Sequence, residues 1–184
     1  MNKAIAIGTS AGGINALDYL LPHIPRETRS AVFIVQHMSA DSDSYFVKIM
    51  NSKCQVKVKE ACDTEEIKSG VVYFAPPGYH LLIEEDYTLS LNVDEKVNFS
   101  RPSIDVMFET AAEVYRRNLT GILLTGANAD GSIGLKIISN LGGTTIVQNP
   151  KEATFSDMPE AALHIFKPDM ILSLSEIAKF LEKI

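Results

Sequence analysis

Lys3-Ala4-Ile5-Ala6-Ile7-Gly8-Thr9-Ser10-Ala11-Gly12-Gly13 is the stretch that decides the fold, because an apolar β-type run breaks into a glycine-rich turn and helical spacing follows at once. Lys3–Gly8 reads as a first strand. Gly13–Leu21 then sets Ile14, Leu17, Leu20 and Leu21 on one helical face before Pro22 stops it. Further along, Ala31–Gln36 reads as a buried strand, and Asp41–Asn51 as a helix that offers Tyr45, Phe46, Ile49 and Met50 for burial behind N-cap candidates Asp41 to Asp43. Thr120–Thr125 and Thr144–Gln148 are strands around a helix at Ile133–Asn140, and Ser175–Ile184 closes the chain as a helix. Such alternation predicts an α/β fold with a mostly parallel sheet.

The middle of the chain breaks the alternation. Val71–Ala75 and Tyr79–Glu84 flank Pro76-Pro77-Gly78, and Tyr87–Val93 follows, which reads as a short antiparallel meander. Pro102 stands where proline is tolerated at a helix start, and Ile104, Met107, Phe108, Ala111, Ala112 and Tyr115 repeat at helical spacing behind it.

The 184 residues suit a single domain, with no repeat, low-complexity tract or linker, and 46% hydrophobic against 22% charged residues is the balance of a folded soluble protein. A net charge of -6 argues against nucleic acid or an anionic membrane as the main partner. The first glycine comes too early for a signal peptide and no apolar run approaches the roughly 20 residues of a membrane span, so a cytoplasmic location without membrane insertion is expected. Cys54 and Cys62 lack the paired spacing of a zinc or redox site and read as free thiols.

Ligands of open α/β sheets collect beyond the carboxyl ends of the strands. Gly8-Thr9-Ser10-Ala11-Gly12 fits the G-x-S-x-G pattern in its required strand–turn–helix context, with Ser10 projecting as a nucleophile and the following helix start favouring an oxyanion. The competing interpretation is a glycine-rich phosphate-binding turn. Against it, the spacing is not G-x-G-x-x-G, no P-loop lysine follows, and the second strand ends in Gln36-His37 rather than an acidic ribose ligand. A serine hydroxyl needs a base, and His37 directly follows the neighbouring strand, whereas His23, His80 and His164 sit elsewhere. Asp130, in the loop after Gly121–Thr125, is the favoured third member; Asp105, inside a helix and away from any strand end, is the competitor. Arg101 could clamp a substrate carboxylate, but an arginine at a helix start is more often structural.

GTSAGG at Gly8–Gly13, QHM at Gln36–Met38, APPGYH at Ala75–His80, RPSID at Arg101–Asp105, LLTGANADG at Leu123–Gly131 and QNP at Gln148–Pro150 together resemble the CheB family, the protein-glutamate methylesterases of bacterial chemotaxis. The resemblance implies a doubly wound α/β domain with helices on both faces of the sheet and Ser10, His37 and Asp130 as a triad at its carboxyl edge. It implies a methyl-accepting chemoreceptor as substrate, glutamine deamidation as a companion reaction, the backbone N–H groups of Ala11 and Ala127 as the oxyanion hole, and no metal or cofactor. Family members frequently carry an N-terminal receiver domain, and this chain has no trace of one; a separate receiver or signalling protein is the alternative partner, and the early Met suggests a stand-alone enzyme. Two positions depart from the family pattern, Ala127 where methionine is common and Asp157 where glycine is common. Asp157 would bring negative charge to the cleft rim and favour charged His37. The rival functions are an esterase or amidase on another substrate and a catalytically silent binding module.

Overall fold

The computed structural model describes residues 3–38 and 45–184. In chain order the elements are β1 (Ala4–Thr9), α1 (Gly13–Leu20), β2 (Ala31–Gln36), α2 (Tyr45–Lys53), β3 (Lys57–Glu60), β4 (Glu65–Glu66), β5 (Val71–Phe74), β6 (His80–Ile83) and β7 (Thr88–Asn92). They continue with α3 (Ile104–Tyr115), β8 (Leu119–Leu123), α4 (Ser132–Asn140), β9 (Thr144–Gln148), α5 (Asp157–Ile165), β10 (Met170–Leu172) and α6 (Leu174–Leu181). Seven strands form one parallel sheet in the order β10-β9-β8-β1-β2-β5-β3, and β4, β7 and β6 form a small antiparallel sheet.

The two sides of the large sheet bury different residues of the same strands. Ile5, Ile7, Val32 and Ile34 pack with Leu17 and Leu20 of α1, Met50 of α2 and Ile177 and Leu181 of α6. Ala4, Ala6, Phe33 and Val35 face the other way, onto Ile104, Phe108 and Ala111 of α3, Leu135 and Ile138 of α4, and Met158 of α5. Small alanines in β1 let α3 approach closely, and the aromatic load sits on Phe33 and Tyr73, whose rings stack with centroids 6.1 Å apart. This is the doubly wound arrangement, in which parallel strands covered on both faces are apolar throughout.

Several local expectations are corrected. β5 belongs to the parallel sheet rather than to the meander, because Val72 and Phe74 are buried on one face and Tyr73 on the other. Among the described strands, only β6 and β7, with β4, pair antiparallel. Ile14 is half exposed, since α1 turns Gly13, Ala16, Leu17 and Leu20 inward, and Pro22 sits within a 3-10 turn at Leu21–His23 instead of ending the helix outright. Tyr45 is exposed while Val47 and Met50 are buried, and the expected cap at Asp41 to Asp43 lies outside the described residues. Pro102 precedes the helix rather than opening it: the Arg101-Pro102 peptide is cis, and Ser103 is the N-cap of α3, its hydroxyl accepting from Val106 N. β3, β4 and β10 match no predicted element, and Met158–Leu163, which reads from the sequence as a turn before His164, is part of α5.

Candidate active site

β1, β2 and β8 are adjacent, so the loops that leave their carboxyl ends converge at the point where the chain, having wound outward through β2, returns on the other side of β1. Ser10, His37 and Asp130 lie on these loops. His37 Nδ1 is 3.2 Å from Ser10 Oγ, and His37 Nε2 is 2.8 Å from Asp130 Oδ2. Asp130 is fully buried and His37 is nearly so.

The turn bearing Ser10 is held by three hydrogen bonds to one residue, Thr125. Ser10 N donates to Thr125 O at 3.0 Å, Thr9 Oγ1 donates to the same carbonyl at 2.9 Å, and Thr125 Oγ1 donates to Ala11 O at 2.9 Å. Gly12 adopts φ 80 as the residue before α1, and a Cβ there would lie 2.8 Å from Thr154 Cβ. A Cβ on Gly8 would lie 2.2 Å from Ile104 Cγ2, so glycine is what lets α3 seat against β1. Gln36 ties the Ser10 loop to His37: its Nε2 donates to Ser10 O and to His37 O, each at 2.9 Å, and His37 N donates to Thr9 O at 3.0 Å.

Asp130 sits against the N-terminus of α3. It accepts from Ile104 N at 2.7 Å, Asp105 N at 3.2 Å and Ser103 Oγ at 2.9 Å, and Asn98 Nδ2 lies 3.3 Å away. Burial alone would raise its pKa, but the bonds from His37, Ile104 N and Asp105 N hold it below the ordinary carboxylate value. The positive end of the α3 dipole adds to the same effect. An anionic Asp130 at Nε2 selects the imidazole tautomer protonated on Nε2, which leaves the Nδ1 lone pair facing Ser10. The ring is therefore used in the opposite sense to the familiar serine-protease arrangement, in which Nε2 faces serine.

Asp105 is not among the hydrogen-bond partners of His37 but is Asp130's neighbour. It accepts from Gly134 N at 2.7 Å and from Asn98 Nδ2 at 2.9 Å, and burial, with Asp130 beside it, pushes its pKa up to about 6. Ser100 Oγ and Asn128 Nδ2 each lie 3.4 Å from His37 Nδ1, on the side of Ser10. Sequence reasoning passed over Gln36, Asn98, Ser100 and Asn128. The family-like segments contained the first and last, and nothing in their spacing marked them.

Arg101 points away from a clamping role, because its Nη1 donates to Val93 O at 2.6 Å and Asp94 O at 2.9 Å. His80 is structural: Nε2 donates to Glu95 O at 3.1 Å while Nδ1 accepts from Ser103 N at 3.1 Å, bracing the cap of α3. Asp157 is the first residue of α5 and is not among the partners of His37. The N–H groups of Ala11 and Ala127 have no hydrogen-bond partner among the described residues. No group of three or more His, Cys, Asp or Glu that could hold a metal ion occurs among the described residues, and no helix there is long and apolar enough to cross a membrane. A cavity of about 980 Å³ opens at the opposite edge of the sheet, among Lys3, Glu27, Arg29 and Lys183, and no histidine lines it.

Comparison with known proteins gives one answer. The family model described as CheB methylesterase matches residues 5–181. A protein of Leptospira interrogans, named provisionally a protein-glutamate methylesterase/protein-glutamine glutaminase, is 52% identical over 177 residues, covering 96% of this chain and 92% of that one. The protein-glutamate methylesterase/protein-glutamine glutaminase of Archaeoglobus fulgidus is 36% identical over 186 residues, and the chain spans only about half (53%) of its length. The crystal structure of the Thermotoga maritima CheB methylesterase catalytic domain superposes with a TM-score of 0.94 at 30% identity, over 100% of this chain and 98% of that one. With the family model matching residues 5–181 and the solved catalytic domain superposing over its full length, this chain belongs to the CheB methylesterase family.

Proposed function

We propose that the chain hydrolyses the γ-methyl esters of glutamyl side chains on methyl-accepting chemoreceptors, with Ser10 as nucleophile, His37 as general base and acid, and Asp130 as the group that orients and charges the imidazole. The observation that carries this reading is the unbroken hydrogen-bonded series Ser10 Oγ, His37 Nδ1, His37 Nε2, Asp130 Oδ2 at the carboxyl edge of the sheet. The names of the relatives supply the substrate class.

Ser10 Oγ attacks the side-chain carbonyl as its proton passes to His37 Nδ1, and the imidazolium is stabilised by the buried anion at Nε2. Negative charge builds on the carbonyl oxygen. The free N–H groups of Ala11 and Ala127 are our candidates to receive it, and a backbone donor works equally well from alanine as from methionine. His37 then returns the proton to the departing methoxide, methanol leaves, and water attacks the glutamyl-serine ester with His37 again as base. The free glutamate and Ser10 are the products. Glutamine deamidation needs the same steps with ammonia as leaving group, which agrees with the double name of the relatives.

The test is methanol release from a methylated receptor fragment, with Ser10→Ala alongside. Release by the parent chain and none by the variant is the expected result. A parent that acylates on small esters but releases no methanol from receptors points to another ester substrate, and a parent that does neither to a binding module.

A further inference from the structure

Val97 and Ser100 pair across a two-residue turn in which Asn98 (φ 49) and Phe99 (φ 63) both have left-handed backbone. Such a turn is common for asparagine and glycine and costs a bulky aromatic residue free energy. Phe99 is also 97% exposed, so neither backbone nor burial favours it. Its two neighbours are engaged in the candidate site. Asn98 Nδ2 bonds to Asp105 and lies near Asp130, while Ser100 Oγ is 3.4 Å from His37 Nδ1. The ring is thus held in water, one residue from the base, by a turn whose flanks are anchored in the site beneath.

Other apolar side chains are left exposed at the same edge of the sheet. Ile14, in the first turn of the helix behind Ser10, is 48% exposed. Phe155, whose backbone N–H and C=O bond to Thr125 Oγ1 and Gly126 N, is 43% exposed. Each is a few residues from a group of the site, and a small ester would leave them in water. A protein segment would cover them.

We propose that the Val97–Ser100 turn is the element that recognises the protein part of the substrate, with Phe99 packing on an apolar side chain that flanks the esterified glutamate. This inference rests on the reading of the chain as a protein-glutamate methylesterase, and it assigns specificity for protein over small esters to Phe99. An apolar anchor suits this substrate, because a glutamyl methyl ester is neutral and offers an enzyme of net charge -6 no charge to attract.

The experiment compares kcat/KM for a methylated receptor fragment with kcat/KM for a small glutamyl methyl ester in the parent chain, Phe99→Ala, Phe99→Leu and Phe99→Gly. In the alanine and glycine variants the receptor-to-small-ester ratio is expected to fall about tenfold, mainly through KM, and leucine restores most of it. Phe99→Gly separates recognition from folding, since glycine relaxes the left-handed backbone and should raise the melting temperature while lowering the ratio. An unchanged ratio in both Phe99→Ala and Phe99→Gly overturns the proposal. So does an unchanged ratio with loss of a concentration-dependent dimer, which would assign the ring to a contact between copies of the chain. A parent that turns over the small ester but no receptor fragment overturns the receptor reading, and this assignment with it.

Discussion

Asp105 and Asp130, two buried carboxylates, lie on either side of a single amide donor, Asn98 Nδ2, at 2.9 and 3.3 Å. One is pushed up and the other down: burial and the neighbouring anion raise Asp105 to about 6, whereas the bonds from His37 and from the start of α3 outweigh burial at Asp130. The pair therefore carries one negative charge over a range of mildly acidic pH, and it resides on Asp130.

Asp105 gives the fold a specific acid response. Its carboxyl keeps a proton to about pH 6 when folded and only to about 3.8, its ordinary value, when unfolded. Between these values the folded state binds more protons, so stability falls as pH rises through the window. Urea unfolding at intervals from pH 4 to pH 7 should show the parent chain losing roughly 1–3 kcal/mol relative to Asp105→Asn. A constant difference across that range would refute the raised value.

Asp130 has the opposite sign. Its lowered pKa contributes stability that is present above the ordinary carboxylate range and lost as pH falls through the folded value. Asp130→Asn removes that loss, and it also places an N–H₂ where Ile104 N and His37 Nε2 both need an acceptor, or else turns the imidazole to carry its proton on Nδ1, toward Ser10. Turnover should drop about 10³–10⁴-fold with the fold intact. Steady-state methanol release with a circular dichroism control checks this, and activity within tenfold of the parent would remove Asp130 from the proposed triad.

Gln36→Leu tests the clamp between the Ser10 and His37 loops. Two hydrogen bonds at 2.9 Å disappear and two carbonyls lose a donor. Each unmade bond costs about 1 kcal/mol, so a stability loss of about 1–2 kcal/mol is expected, and kcat should fall roughly tenfold to a hundredfold through misplacement of nucleophile and base. Equal kcat in the two proteins would show that the loops hold their positions without it.

Gly8→Ala should destabilise by about 1–3 kcal/mol, because the new methyl meets Ile104 Cγ2 at 2.2 Å. Ile104→Ala removes that methyl at its own cavity cost. A double-mutant cycle on thermal unfolding is expected to give a favourable coupling above about 1 kcal/mol between the two changes. Strict additivity would place the strain elsewhere.

Ser10, His37 and Asp130 were legible as neighbours because each follows a buried strand, and parallel strands that are adjacent bring their exits together whatever the helices do. The α/β class followed from the same runs. What stayed hidden depends on contacts that no local pattern encodes. The charged alternation of Lys57–Glu60 gave no apolar run, so edge strand β3 was invisible, and Val71–Phe74 looked like the first arm of a hairpin because Pro76-Pro77-Gly78 follows it. Asp105 was set aside as a helical residue far from a strand end. It is in the first turn of α3, whose N-terminus is docked on the Asp130 loop, and that docking depends on Gly8 admitting Ile104. Asn98, Ser100 and Asn128 were illegible for the same reason.

Because Ser10 meets Nδ1, the ring nitrogen closer to the peptide chain, while the far nitrogen is fixed by a wholly buried anion, the imidazole behaves as a strut pinned at both ends. Rotation about its side-chain bonds is blocked at the tip, and the position of its inner end follows the main chain of residue 37, which Thr9 and Gln36 hold. In the proposed mechanism, readiness for proton transfer is then a property of the sheet's upper edge as a rigid frame, and little motion has to be frozen out when a substrate arrives.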